Sequence, residues 1–262
     1  MRVWAVANQK GGVGKTTTAV NIAGLLAAAG RPTLLVDLDP HGSLTSYFGL
    51  NPDHLESSAY QLFQNTSLAS RELIVNTQVK GLDLLPASNA LATLDRQLGT
   101  QEGKGLILSQ TLKKLRNEYA YVLIDCPPVL GILMVNALAA CQRLLVPVQT
   151  EFLALKGLER IIHTLNMIMQ SQRKNLPFTI IPTMFDIRTK ASIESLAALK
   201  ETYPYTLWEE VIPIDTQFRE ASKLGVPLTL AHAKSRGAHA YRRLLAHLLR
   251  ITYEQQVKQA AV

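Results

Sequence analysis

The chain has 262 residues, 47% of them hydrophobic, and a formal net charge of +7 at pH 7, with most of the positive excess in residues 151–262. This length suits one α/β domain of generous size or two small ones, and no linker-like composition divides it. Two cysteines exclude a disulfide scaffold and favour a reducing cytosolic setting, and without roughly eighteen consecutive apolar residues no spanning helix is expected.

Short apolar runs alternate with helical patterns along the chain, and most of the runs lack polar alternation. Such runs are typical of strands that are buried on both faces of a parallel sheet. The alternation therefore predicts an α/β fold with a doubly wound, mostly parallel sheet of about seven to eight strands and helices on both faces. Strands are predicted at 3–7, 33–36, 82–85, 121–124, 144–148, 178–183 and 210–212, and helices at 15–29, 104–117, 130–141, 152–172, 190–202 and 238–252.

The pattern indicates a single domain over residues 1–253, followed by a polar tail at 254–262 that we expect to fray. The less regular stretch 49–76 is expected to hold short helices between the second and third strands. The first helix has a clear stop, because Gly30 and Pro32 follow it.

A glycine-rich segment links the first predicted strand to the first predicted helix. It reads Lys-Gly-Gly-Val-Gly-Lys-Thr-Thr at 10–17, and Gln9 stands where the ordinary phosphate-loop pattern has its first glycine. Glycines let the backbone turn tightly and point its N–H groups inward at an anion, and the helix dipole adds to the attraction. We expect Lys15 to reach the β- and γ-phosphates of a nucleotide and the Thr16 hydroxyl to bind Mg²⁺. The predicted nucleotide-binding residues of this loop are Gly11, Gly12, Val13, Gly14, Lys15, Thr16 and Thr17.

The octet matches the deviant Walker A motif of the ParA/MinD family at every position, so the chain resembles these ATP-driven positioning proteins. In that family the first lysine of the motif, here Lys10, reaches across a nucleotide-sandwich dimer toward the other subunit's ATP. The resemblance implies ATP and Mg²⁺ as cofactors, a homodimer in the ATP-bound state, and catalytic roles for Lys10 and Lys15. Lys10 would act in trans as an arginine finger does.

Two acids end the second predicted strand, in the sequence Val-Asp-Leu-Asp-Pro at 36–40. Asp37 and Asp39 are two residues apart, so on a strand both point the same way, toward the carboxyl edge of the sheet. The segment resembles the family's switch motif, in which Asp39 would position or polarise the attacking water and Asp37 would support the loop and the magnesium shell. His41 and Ser43 depart from the commoner Gln and Asn, and we expect these changes to alter the hydrolysis rate or the partner.

A third acid, Asp125, ends the predicted strand 121–124 and is followed by Cys126, Pro127 and Pro128. The stretch resembles the family's Walker B segment, and the resemblance implies that Asp125 would hold Mg²⁺ through water. The two prolines stiffen the turn into a loop that senses the γ-phosphate.

Later segments extend the resemblance over nearly the whole chain. Residues 147–158 are similar to the family stretch near the dimer face, and 182–189 to the strand and loop on the adenine side. By resemblance, Thr183 and Pro213 would contact the nucleotide base, although Thr183 stands where relatives often have Asn. Basic residues fall where ParA relatives bind DNA without reading its sequence, and they are Arg188, Lys190, Arg219 and Lys223.

The amphipathic segment 242–252 is expected to pack on the sheet as the last helix, so no stable membrane insertion is predicted and the MinD branch ranks lower. The expected location is the cytoplasm, on the nucleoid or at the pole. The sequences of residues 39–49 and 149–159 resemble those of the ParC-type members found with polar chemotaxis genes. This resemblance favours a role in placing chemotaxis arrays, with an array adaptor as the partner. Chromosome or plasmid partition with a ParB-like adaptor is the alternative.

Two other classes share this phosphate loop. Nitrogenase iron protein relatives need a cysteine pair that bridges two subunits at an iron–sulfur cluster, and Cys126 and Cys141 do not resemble that placement. Biosynthetic relatives such as dethiobiotin synthetase need a substrate pocket that no motif here identifies. The sequence therefore favours a slow, partner-stimulated switch ATPase.

Overall fold

A single seven-stranded sheet organises the computed structural model, which describes residues 1–64, 70–98, 104–171 and 175–260. The strands are β1 Arg2–Val6, β2 Thr33–Asp37, β3 Val75–Asn76, β4 Leu82–Leu85, β5 Tyr121–Asp125, β6 Arg143–Gln149 and β7 Phe178–Thr183. Their order is β3-β4-β2-β5-β1-β6-β7, and every neighbouring pair is parallel except β3 with β4. The predicted α/β class and the mostly parallel, doubly wound sheet are confirmed.

Helices cover both faces of the sheet. They are α1 Lys15–Ala28, α2 Ser43–Tyr47, α3 Ala59–Gln64, α4 Leu91–Leu98, α5 Ile107–Lys114, α6 Ile132–Ala140, α7 Phe152–Ser171, α8 Lys190–Thr202, α9 Gln217–Leu224, α10 Leu228–Ala231 and α11 Arg236–Ala260, with 3-10 turns at Ser70–Leu73 and Lys104–Leu106. Of the helices that the structure describes, none combines the length and the apolar character needed to cross a bilayer.

The strands are mostly apolar because their side chains enter two separate cores. In β1, Val3 and Ala5 point into the core beneath α5, α6 and α7, whereas Trp4 and Val6 point into the core beneath α1 and α11. Alternation along a strand thus sends consecutive side chains to opposite faces, and both faces are buried. Because both faces are buried, the strand sequences show apolar runs without alternating polar residues.

The prediction of a strand at 210–212 is wrong. The chain after α8 does run beside β7, with Trp208 N donating to Ile180 O at 2.9 Å and Ile212 N donating to Pro182 O at 2.8 Å. Only isolated bridges form there, Ile180 with Leu207 and Phe185 with Pro213. Pro182 has no N–H, so it cannot supply the donor that a continuous parallel ladder needs between these two contacts.

Two further elements differ from expectation. The short antiparallel strand β3 was not predicted, because two residues are too few to give a periodic signal. The stretch 254–260, predicted as part of a polar tail, continues α11 as a helix, and Arg143 Nη2 donates to Gln255 Oε1 at 2.6 Å. The short helices expected within 49–76 are present as α3 and a 3-10 turn.

Candidate functional site

The phosphate loop joins β1 to α1 at the carboxyl edge of the sheet. Gly12 and Gly14 have φ angles of 73° and 89°, a left-handed conformation that glycine adopts without steric cost. Gly14 caps α1, and its carbonyl accepts the first helical bond from Thr18 N at 2.9 Å. The free N–H groups at the start of α1 therefore face the loop's concave side, where an anion is stabilised.

Lys15 and Thr16, the first residues of α1, lie at the floor of this loop. Lys15 is buried, and its Nζ donates to Lys10 O at 3.4 Å. The Thr16 hydroxyl donates to Asp125 Oδ2 at 2.6 Å, so the end of β5 meets the start of α1. The fold thus places side by side two residues that the sequence predicts to bind Mg²⁺.

Asp125 has the chemistry of a cation site. Its Oδ1 is buried and has no hydrogen-bond donor among the residues that the structure describes. Burial and the neighbouring Asp37 carboxylate raise the pKa of Asp125 well above its ordinary value, because both disfavour a second negative charge there. A buried carboxylate oxygen without a donor fits Mg²⁺, which prefers oxygen ligands and supplies the missing positive charge.

Asp37 holds the loop that follows β2. In the parallel pairing of β2 with β5 it stands beside Asp125. Its Oδ1 accepts from Asp39 N at 3.1 Å, and its Oδ2 accepts from Thr45 N at 2.8 Å and Thr45 Oγ1 at 2.7 Å. These bonds tie the strand end to α2, which supports the predicted loop-holding part of its role. Thr45 itself was missed by sequence reasoning, since a threonine inside a short helix gives no signal.

The protonation of Asp37 should make the stability of the nucleotide-free protein depend on pH. Burial, the largest effect, raises its pKa from 3.8 to about 7 in spite of the hydrogen bonds. Between these two values the folded chain binds more protons than the unfolded chain, so the free energy of unfolding falls as the pH rises toward about 7. We expect Asp37→Asn to flatten this decline, measured by urea unfolding across the interval.

Asp186→Asn is the matched control for that measurement. The Arg188 guanidinium lowers the pKa of Asp186 to about 2, so its titration lies below the interval and the variant should keep the wild-type slope. Asp125 shifts in the same direction as Asp37, so part of the slope should remain in Asp37→Asn. A wild-type stability that rises from about pH 4 to pH 7 would contradict the assignment.

Asp39 and His41 follow on the same loop, with the Asp39 side chain mostly buried and the His41 side chain exposed. Asp39 Oδ1 accepts from His41 N at 3.1 Å and contacts His41 Nδ1 at 2.9 Å, and the His41 side chain is 80% exposed. Between His41 and Ser43, Gly42 has a φ of 61° and packs so closely that an added Cβ would collide with the ring of Pro52. The loop is thus fixed at Asp37 and Gly42 and open to solvent at position 41.

Lys10 has a partner within its own chain. Its Nζ makes a salt bridge with Glu151 Oε1, just before α7, and its backbone N donates to Asn8 Oδ1 at 3.0 Å. The Asn8 side chain in turn donates to Pro147 O at 2.7 Å. Sequence reasoning placed Glu151 inside a motif near the dimer face but gave it no role; its position in that motif was the available signal.

A cavity of about 380 Å³ opens beside the phosphate loop. The predicted base contacts Thr183 and Pro213 both line it, together with Gly14, Thr17 and Arg219. The Thr183 hydroxyl donates to Val13 O at 2.9 Å, so the end of β7 holds the loop. Four of the predicted nucleotide residues therefore line one cavity, and they are Gly14, Thr17, Thr183 and Pro213.

The four predicted DNA-binding residues lie in two places. Arg188 lies in the turn before α8 and forms a bidentate pair with Asp186, and Lys190 begins α8 and contacts Glu194 at 3.3 Å. Arg219 and Lys223 are exposed on α9, one turn apart, and Arg219 also lines the nucleotide cavity.

Comparison with known proteins gives matches along most of the chain. A family model described as an AAA domain matches residues 1–178. The chromosome partitioning protein ParA of Myxococcus xanthus is 36% identical over 250 residues, which cover 95% of this chain and 88% of that protein. The sporulation initiation inhibitor protein Soj of Bacillus subtilis is 35% identical, over 92% of this chain and 95% of Soj.

A solved structure is similar to this chain over a comparable length and at a comparable identity. It is the crystal structure of a cobyrinic acid a,c-diamide synthase from Mycobacterium smegmatis with bound ATP analog and magnesium. The TM-score is 0.81 and the identity 36%, and the match covers 95% of each chain. Because the match spans the chain, the shared feature is the whole fold and not the phosphate loop alone.

Proposed function

The chain belongs to the ParA/Soj family of P-loop ATPases, and on that premise we propose that it is an ATP-driven switch that partitions a chromosome or plasmid. One observation carries the proposal. The phosphate loop that contains Lys10 lies at the same edge of the sheet as Asp39 and Asp125, which follow or end the neighbouring strands β2 and β5. A phosphate loop binds nucleotide, and acids at this edge add a place for Mg²⁺ and for an attacking water.

Some residues of the chain would bind ATP and Mg²⁺, and others would position the attacking water. The loop N–H groups and Lys15 bind the phosphates, while Thr16 and Asp125 are the residues that would hold Mg²⁺, with Asp37 behind them. When bound, Mg²⁺ neutralises charge on the transferring phosphate. Asp39 lies beyond Asp37 on the exposed loop, where its carboxylate can orient a water and accept its proton.

A homodimer that forms on ATP is supported by the surface around Lys10. The Lys10 side chain is 32% exposed, so the salt bridge to Glu151 does not bury it. Large apolar side chains lie exposed directly after Asp125 and after Glu151, and they are Val129, Leu130, Phe152 and Leu153. Exposed apolar groups that lie after β5 and at the start of α7 are typical of a surface that another protein covers.

DNA is the surface to which we propose that the ATP-bound dimer attaches. The positive excess of the second half and the exposed positions of Lys190 and Lys223 support contacts with phosphates, which carry no sequence information. Association with the nucleoid would follow. A protein of this kind releases DNA after hydrolysis, and slow, partner-stimulated turnover then sets the time between binding and release.

Salt titration tests this proposal. We expect the ATP-bound protein to bind arbitrary duplex DNA with an affinity that falls steeply with salt, and Lys190→Ala and Lys223→Ala each to reduce the slope of log affinity against log salt by about 1. Lys113→Ala removes an exposed charge from α5 and serves as the control. An affinity for duplex DNA that does not change with salt would overturn the proposed attachment.

Partition with a ParB-like adaptor is the cargo assignment that the names of the relatives support, since ParA is a chromosome partitioning protein in Myxococcus xanthus. The sequence favoured placement of chemotaxis arrays at the pole. That cargo rests on residues 39–49 and 149–159 alone, so it becomes the second assignment. Deleting the protein and imaging labelled replication origins and chemotaxis arrays in the same cells separates the two.

A biosynthetic activity is the second candidate function, because a cobyrinic acid a,c-diamide synthase has 36% identity over 95% of the chain. Such an enzyme activates a carboxylate with ATP, so its ATP hydrolysis depends on a small-molecule acid. We expect the rate of ATP hydrolysis by this chain to rise when DNA and an adaptor are added and not to change when such acids are added. A rate that rises with a carboxylate substrate and not with DNA would favour the biosynthetic function.

A further inference from the structure

A second cavity, of about 550 Å³, lies at the edge of the sheet opposite the phosphate loop. It is lined by residues at the starts of β6 and β7, by the chain after α8, and by the last turns of α11. Parallel strands place all their amino ends at one edge, so this cavity is separated from the nucleotide by the full length of two strands. Its volume falls in the range of small-molecule sites.

Arg143, the first residue of β6, lies in the wall of this cavity and is 3% exposed. Its Nη1 donates to Thr179 Oγ1 at 3.1 Å and its Nη2 to Gln255 Oε1 at 2.6 Å. Both acceptors are neutral. A guanidinium has five N–H donors, so three remain without an acceptor from the described part of the chain.

No carboxylate within the described ranges forms a salt bridge with Arg143. The arginines that do pair with carboxylates are exposed: Arg71 at 47%, Arg243 at 53% and Arg188 at 81%. Burial with nothing to offset it lowers the pKa of Arg143 to about 10. A buried charge without a counter-charge is costly, so this position is one that an anion would stabilise.

The rest of the cavity offers apolar surface beside the charge. Leu176, Phe178, Leu207 and Ile251 line it, and His247 on α11 faces the same space. Burial, Arg250 and Arg143 together lower the pKa of His247, in that order of size, while Glu209 and Glu254 oppose them. Glu254 also lines the cavity, so the Arg143 guanidinium is the group there that attracts an anion, and the Glu254 carboxylate opposes it.

We propose that this cavity binds a small organic anion, whose carboxylate or phosphate group accepts hydrogen bonds from the Arg143 guanidinium while its apolar part packs on Leu176, Phe178 and Leu207. The planar guanidinium presents parallel N–H donors that match either group. The site is separate from the nucleotide site, and its ligand need not be a nucleotide.

The test uses the full chain saturated with ADP and Mg²⁺, so that the phosphate loop is already filled. Benzoate, phenyl phosphate and the neutral benzamide are titrated in turn, and the melting temperature is followed. We expect each anion to raise Tm by about 3 °C at ten times its dissociation constant, and benzamide to have no effect. The stronger of the two anions identifies the group that the site prefers.

Arg143→Gln should weaken the binding of either anion by about tenfold or more, since it removes charged hydrogen bonds. Arg116→Gln, which removes an exposed arginine elsewhere on the surface, should bind as the wild type does. Arg143→Lys keeps the charge but not the planar fork, and we expect intermediate affinity. It keeps the test informative if Arg143→Gln does not fold.

A measurement on the wild-type protein avoids substitution altogether. An anion beside Arg143 should raise the pKa of His247, which can be followed through its ring resonances by NMR as each probe is added. Equal effects of benzoate and benzamide, equal binding in Arg143→Gln and wild type, or stabilisation without any change at His247 would each overturn the proposal.

Discussion

Replacing Lys10 with alanine is expected to lower partner-stimulated ATP hydrolysis by about 10³-fold or more and to abolish dimer formation on ATP. A cation placed in trans against the transferring phosphate has an effect of this size in related phosphoryl transfers. Loss of the dimer should be visible as a monomer by light scattering in the presence of ATP. Lys80→Ala, which removes an exposed lysine far from the loop, is the control and should behave as the wild type does.

The salt bridge between Lys10 and Glu151 does not prevent this role. Both side chains are about one-third exposed, and pairs of this kind contribute only about 0–1 kcal/mol. Lys10 can therefore leave Glu151 for a phosphate at small cost, and we expect Glu151→Gln to retain ATP-dependent dimerisation. If Lys10→Ala still dimerised and hydrolysed ATP normally, the trans role of Lys10 would be excluded.

Asp39→Ala has the second-largest expected effect. Removing the group that orients the water and accepts its proton should slow hydrolysis by about 10²- to 10⁴-fold. ATP binding should persist, because Lys15, Thr16 and Asp125, which would hold the phosphates and Mg²⁺, make no hydrogen bond that requires the Asp39 carboxylate. The dimer should then accumulate on DNA, measured together by light scattering with ATP, by DNA co-sedimentation and by fluorescence on the nucleoid.

His41→Gln is the matched control for Asp39→Ala. It introduces the residue that is commoner in the family at this position and keeps the Asp39 carboxylate, so we expect hydrolysis and dimer release to continue, at a changed rate. The two variants differ in whether the Asp39 carboxylate is present. If the Asp39→Ala protein stays monomeric with ATP and does not bind DNA, the proposed switch is wrong.

The parts of the site that were predictable are those carried by contiguous residues. The octet at 10–17 contains its own glycines, lysine and threonine, so its conformation follows from local chemistry. The acids Asp37 and Asp125 were placed correctly at strand ends because the apolar runs before them are strong signals. Their alignment side by side depends on β2 pairing with β5, which the sequence does not specify.

Contacts between distant segments escaped prediction. Lys10 and Glu151 are 141 positions apart, and their salt bridge exists only because β1 and β6 are neighbours in the sheet. Arg143 reads as an ordinary charge before an apolar strand, and only the packing of α11 shows that it is buried. The strand expected at 210–212 failed for a local reason, since Pro182 on the facing strand lacks the donor.

The close packing of Gly42 on Pro52 sets which parts of the switch loop are free to diverge during evolution. His41 and Ser43 on either side are exposed, so their replacement of the commoner Gln and Asn disturbs no packing and leaves the backbone path unchanged. Any side chain at 42 would face both a left-handed backbone and the proline ring. We therefore expect positions 41 and 43 to accept new side chains, and replacement of Gly42 to destabilise the loop.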